Sequence, residues 1–191
     1  MDSAAQRSAA KLVYKDPADY LVRLRSLEIE VALSNLPYKV KSLRTNDLKE
    51  ARELRSAAIF CYGMGQRLGC ETFFARGESQ DYDFMARWDI GDKPHFAPVQ
   101  LKEFVPEELN SQASLPSLIK SLTKYTDSKD LTVVIHLNRQ IRFEPVDIQC
   151  ASLNIGELWV FGAATHDQSE WNLWGNFIKE PLVSRFSYPK N

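Results

Sequence analysis

Residues Leu131–Leu137 (LTVVIHL) constrain the fold of this chain more than any other stretch, because their apolar run is almost unbroken. A strand with one wet face alternates apolar and polar residues, whereas a near-continuous apolar run fits a strand covered on both faces, as in a parallel crossover. The flanks agree with that reading. Ser114 stands as N-cap of a helix with Pro116 in its first turn, and Leu115, Leu118, Ile119, Leu122 and Tyr125 form its apolar stripe. Before that helix, Phe96–Phe104 reads as a strand, with Pro94 and Pro98 placed as at a strand start or a sheet edge.

The periodicity upstream is mixed. Asp16-Pro17 opens a helix over Asp16–Leu33, with Tyr20, Leu21, Leu24, Leu27 and Val31 on one face, and Pro37 ends that region. A second helix starts at Asp47, where Asp47 and Glu50 have the spacing of a capping box, and the glycines Gly63, Gly65 and Gly69 bring it to an end. Cys70–Ala75 and Tyr82–Trp88 then read as strands. They are joined by a turn at Gly77-Glu78-Ser79, and Asp89–Pro94 turns into the third strand. Downstream of the apolar run, Ile148–Ala151 and Leu158–Ala163 are candidate strands, and Trp171–Phe177 is expected to pack back as a helix. Residues 1–12 are small and polar and are expected to fray.

Length and composition bound the rest. A chain of 191 residues fits one α/β domain. It divides into a helical extension (1–46), a core (47–137) and a C-terminal extension of strands and a Trp-rich helix (138–191). The formal net charge of -1 advertises no nucleic acid globally, so any such binding must come from a local patch. Cys61, Cys70 and Cys150 are too few and too scattered for a disulfide framework or a zinc site, which points to a reducing, cytoplasmic setting. No secretory signal is visible, and no stretch nears the roughly 18 apolar residues of a membrane span.

The candidate chemistry lies on the central strands. Side chains alternate along a strand, so Gln100 and Lys102 share a face, and pairing with Tyr82–Trp88 as a hairpin brings Asp83 beside them. A carboxylate, an amide and an ammonium together are suited to holding a divalent cation and orienting a water against a phosphodiester. This order of elements, with Asp83 on the second strand and Gln100-x-Lys102 on the third, resembles the PD-(D/E)XK nuclease superfamily over roughly residues 47–137. The resemblance implies an αβββαβ restriction endonuclease-like core, a mixed sheet flanked by helices. It also implies a Mg²⁺-dependent (or Mn²⁺-dependent) nuclease acting on DNA, with RNA also open. Asp83 and Gln100 would hold the metal, with Gln100 where the family usually has an acidic residue, and Lys102 would position the attacking water. Glu53 on the preceding helix would support the site, and Glu71 is a further candidate helper. Lys120, Lys124 and Tyr125 on the following helix would meet nucleic acid, Ser121 and Tyr125 having the spacing of a polar-to-Tyr pair in RecB-like members.

Plainer readings stand beside these. Asp83 has Arg87 within reach as an ion-pair partner. His136 reads as a hydrogen-bonded core histidine, His166-Asp167 as a solvated loop, and Cys61 and Cys70 as core thiols. Trp159, Trp171 and Trp174 are suited to base stacking, to closing a core or to burying a partner, and the Asp16–Leu33 helix to a homodimer surface. A relative of the superfamily with Gln at the acidic position also has a non-catalytic role open to it, binding nucleic acid or a protein.

Overall fold

The computed structural model describes residues 1, 3–41, 45, 48–77, 81–145 and 148–190. Seven strands form one mixed sheet in chain order: β1 (Thr72–Arg76), β2 (Phe84–Ile90), β3 (Lys93–Phe104), β4 (Ser128–Leu137), β5 (Ile155–Ala163), β6 (Glu170–Gly175) and β7 (Leu182–Ser187). The pairs β1–β2, β2–β3, β5–β6 and β6–β7 are antiparallel, while β3–β4 and β4–β5 are parallel. The helices are α1 (Ser3–Ala9), α2 (Pro17–Leu33), α3 (Tyr38–Lys41), α4 (Lys49–Leu68) and α5 (Leu115–Lys120), the last continued by a 3₁₀ turn over Ser121–Lys124.

The apolar run is a central strand covered on both faces. Val134 joins Ala57, Ala58, Phe60, Phe84, Val99 and Phe161 in a core under α4. Val133, Ile135 and Leu137 join Leu115, Ile119, Leu122, Leu158 and Val160 in a second core under α5. The period-2 geometry of β4 therefore sends alternate side chains into two separate cores, which is why the sequence shows no alternation there.

The helix starts follow their caps where they are described. Asp16 accepts the Asp19 N–H at 3.0 Å, with Pro17 at the first helical position. Asp16→Ala is expected to cost about 1 kcal/mol in a denaturant melt, and an unchanged midpoint would show the cap to be idle. Ser114 likewise accepts the Ser117 N–H at 3.2 Å at the start of α5. Asp47 lies outside the described residues. Glu50, expected to act in capping, pairs with Arg76 at 2.9 Å. α4 runs through Gly63 and Gly65 and stops at Gly69, whose φ of 66° is the left-handed conformation that closes a helix. Gly63 is retained inside the helix because a Cβ there would stand 2.5 Å from the Phe186 ring.

Several expectations from sequence are corrected. The three strands of the hairpin region begin one or more residues away from where the sequence places them, and Glu78 and Ser79 of the first turn lie outside the described residues. Residues 148–151 form no strand, because β4 has β3 and β5 on its two sides and only β1 and β7 are sheet edges. Ile148 serves the α5-side core from a loop. The Trp-rich tail is strand β6, not a helix: Trp171, Leu173 and Gly175 are buried while the residues between them are half-buried. Trp171 and Leu173 enter the α4-side core, and Trp174 turns to the other face against Phe143. Within the α2 stripe Leu27 is exposed, while Leu24 and Val31 are half-buried. Where fraying is expected from sequence, Ser3–Ala9 form α1, with Ala9 2% exposed and the Tyr14 Oη donating to the Ala9 carbonyl at 3.0 Å. Cys70 is only half-buried, whereas Cys61 is a core thiol whose pKa burial pushes far up.

The β5–β6 turn carries a titratable contact. Asp167 accepts hydrogen bonds from the Ser169 hydroxyl and N–H, and these with the nearby Thr165 hydroxyl hold its carboxyl down at about 2. A depressed carboxyl stabilises the fold above its unfolded value, and that contribution is lost as pH falls from about 4 towards about 2. An NMR titration of the Asp167 carboxyl is expected to show this low midpoint, and one at or above 4 would show the turn bonds to be absent.

Candidate functional site

The site forms where the sheet loses a neighbour. β2 begins at Phe84, opposite Val99, whereas β3 continues to Phe104. Beyond Gln100, β3 therefore has β4 on one side and no ladder partner on the other, leaving a notch. Buried backbone groups need partners, and here Asp83 supplies one. Its N–H donates to the Val99 carbonyl at 2.9 Å, which holds residue 83 at the corner, and its Oδ2 accepts the Leu101 N–H at 2.6 Å. The Gln100 side-chain amide donates to the same oxygen. Arg87, the ion-pair partner that sequence leaves open for Asp83, pairs instead with Asp89 at 2.8 Å.

Gln100 and Lys102 share the α5 side of the sheet and open into a cleft of about 870 Å³. Tyr82, Lys124, Tyr125 and Lys129 line it as well. Asp83 does not line the cleft and sits at its edge behind Gln100. The Lys102 ammonium stands 5.8 Å from the centre of the Tyr125 ring and that of Lys124 stands 5.3 Å from it, so one aromatic ring gathers two cations. Met1, Ala5 and Ser8 bound the cleft from the N-terminal segment, and the Met1 amine pairs with Asp130 at the start of β4, 2.7 Å away.

Other residues singled out from sequence fall elsewhere. Glu53 stands on α4, over the opposite face, where it pairs with Lys49 at 3.5 Å. It lines a second cavity of about 130 Å³ with Arg52, Ser56, Leu101, Lys102, Glu103 and His136, so it shares with the first site both Lys102 and Leu101, whose N–H meets Asp83. Glu71 precedes β1 at the end paired with Trp88, remote from the Phe84 end where Asp83 lies. Lys120 is exposed and outside the cleft. Lys120 and Lys124 do not share a face, because the chain tightens to a 3₁₀ turn over Ser121–Lys124. Four residues then turn a side chain by about 120° instead of about 40°. The same tightening separates Ser121, whose hydroxyl donates to the Leu118 carbonyl at 2.6 Å, from Tyr125.

His136 is 8% exposed, with its Nδ1 3.2 Å from the Ser56 hydroxyl and its ring stacked on Phe161, as a core histidine should be. His166-Asp167 lies in an exposed turn. Trp159 and Trp171 are core residues. Sequence reasoning missed Lys129, Asp81, Asp127 and Asp130, all of which line the cleft. Their only signal was position next to the ends of β2 and β4, which has meaning only once the notch is known.

The donor set can be compared with what a divalent cation needs. Mg²⁺ in phosphate chemistry keeps several waters and takes one or two carboxylates together with substrate phosphate oxygens. Asp83 offers one carboxylate and Gln100 one amide oxygen, which meets that minimum if the amide turns from its present bond. Among the described residues no group of three His, Cys, Asp or Glu side chains is placed to hold a metal. Nor is any helix among them long and apolar enough to cross a membrane.

Comparison with known proteins adds no identity: no family model, no curated protein and no solved structure matches the chain.

Proposed function

We propose that residues 47–137 form a restriction endonuclease-like core and that the chain is a metal-assisted nuclease hydrolysing phosphodiester bonds, with DNA as the first substrate to test and RNA the second. The observation that carries this reading is the convergence of Asp83, Gln100 and Lys102 at one notch of the sheet, opening into a cleft that Lys124 and Tyr125 also line. The element order α4–β1–β2–β3–α5–β4, with β3 and β4 parallel, is what the resemblance calls for.

Asp83 and Gln100 would hold Mg²⁺ or Mn²⁺. Such a cation, when bound, acidifies a water and neutralises charge on the phosphate. Lys102, one step along the same face from Gln100, donates a hydrogen bond to the water and fixes its direction of attack. Lys124 meets a phosphate as a positioning charge, and Tyr125 holds both ammonium groups against one ring. Leu101 contributes through its backbone, since its N–H anchors the Asp83 carboxylate. Glu53, which lines a second cavity with Lys102, would support that ammonium from the α4 side, and Lys120 lies outside the scheme.

The test is cleavage of linear, supercoiled, single-stranded and branched DNAs and of RNA in Mg²⁺ or Mn²⁺, with EDTA as control. Metal-dependent cleavage is the expected result. A folded protein that leaves every substrate intact would refute it.

One observation favours a second reading. The Gln100 amide and the Leu101 N–H both donate to Asp83 Oδ2, so the carboxylate proposed to hold the cation is already hydrogen-bonded without one. A catalytically silent module that binds nucleic acid or a protein partner through the same cleft would keep this arrangement. Binding that persists in EDTA without cleavage distinguishes it.

A further inference from the structure

We propose that the cleft admits a single strand of nucleic acid and turns a duplex away, with Tyr82 and Tyr125 as base-stacking surfaces and α1 as the wall that limits its width. This rests on the nucleic-acid reading of the same site. The cleft's volume of about 870 Å³ lies in the range of pockets that enclose a ligand, about 300–1,000 Å³. Ala5 and Ser8 stand on one side of it, and the ion pair between the Met1 amine and Asp130 joins the N-terminal segment to β4. A duplex needs an open surface along which two backbones can lie, and these walls deny it one.

The lining chemistry points the same way. Lys102, Lys124, Lys129 and the Met1 amine face Asp81, Asp127 and Asp130, which leaves a formal excess of one positive charge. Duplex DNA carries one negative charge per about 1.7 Å of axis, and its binding is driven mainly by neutralising those charges. A cleft with a single net positive charge gains little from that term. Aromatic faces keep their value there, because every base has a π-face and stacking is worth about 1–3 kcal/mol per base. Two tyrosines interleaved with lysines match the pattern that binds unpaired strands.

α1 is anchored lightly enough to be tested as a wall. Its one buried residue is Ala9, so Ala9→Asp would unseat the helix without altering any residue that lines the cleft.

The experiment is fluorescence anisotropy on the full chain with short labelled single-stranded DNA, single-stranded RNA and the matching duplex, in EDTA and in Mg²⁺. Cleavage of the same oligonucleotides is followed in parallel. Wild type is expected to bind at least one of the single strands about tenfold or more tighter than duplex. Tyr82→Ala and Tyr125→Ala are each expected to weaken that binding about tenfold, and Tyr82→Phe and Tyr125→Phe, which keep the rings, to leave it unchanged. Ala9→Asp is expected to bring the single-strand and duplex affinities together. Duplex bound or cleaved as well as single strand by wild type would overturn the inference, and the nuclease reading would then stand if cleavage occurs and fall if it does not. Ring-dependent single-strand binding without cleavage would uphold the inference and end the nuclease reading. No binding of any strand would end both.

Discussion

Lys102→Ala is expected to slow metal-dependent cleavage by about 10²–10⁴-fold, the range by which a positioned proton-transfer or water-orienting group contributes. The side chain lies on the face shared with Gln100 and opens into the cleft, its ammonium resting 5.8 Å from the Tyr125 ring. Its loss removes one cation–π contact, worth about 1 kcal/mol or less, so the fold should survive. The decisive comparison is single-turnover cleavage with the variant's melting curve alongside. Lys102→Arg is not expected to restore the rate, because a planar guanidinium cannot place one donor where a compact ammonium does. Cleavage at wild-type rate by a folded Lys102→Ala protein would remove Lys102 from the chemistry and with it the main support for a nuclease.

The second large effect is on stability. Trp171→Ala is expected to cost about 3–5 kcal/mol, as for other large buried aromatics. The ring is 1% exposed, lies 6.0 Å from Phe161 and 5.8 Å from His136 between ring centres, and donates its Nε1–H to the Gln168 carbonyl at 2.9 Å. Arg55 also stands 5.8 Å over it. Truncation would open a cavity in the α4-side core and leave the Gln168 carbonyl without that donor. For a chain of this length the loss corresponds to a melting temperature lower by about 6–20 °C. A shift below about 2 °C would mean that β6 is not seated in the core as described. Trp174, half-buried on the other face of the same strand, should cost less when truncated.

These two residues mark what was legible in the sequence and what was not. Lys102 was found because strand alternation alone puts it on the face of Gln100, whatever the sheet does next. Trp171 was placed in the wrong element because its neighbours Trp174 and Phe177 fit a three-residue step as well as Trp171, Leu173 and Gly175 fit a two-residue one. Burial decides between those periods, and burial belongs to the packed structure. At the site, α4 packs on the sheet face opposite Gln100, and Glu53 meets Lys102 only across a small cavity on that side, which position along the chain does not reveal. Lys120 fails for a local reason, a helix that tightens over its last turn. Periodicity read at 3.6 residues per turn does not register that change.

By itself the sequence determined the local matters. Asp16 and Ser114 cap their helices, β4 is covered on both faces, and Gln100 and Lys102 point one way. Each follows from backbone geometry and side-chain chemistry within a few residues. Only the tertiary structure decided that β2 stops short of β3 and leaves a notch, and that Asp83 closes it by taking the Leu101 N–H. It likewise brought the N-terminal helix and Lys129 to the same cleft from opposite ends of the core. Those facts depend on strand register and on contacts between residues far apart in the chain, which local patterns of hydrophobicity and charge do not specify.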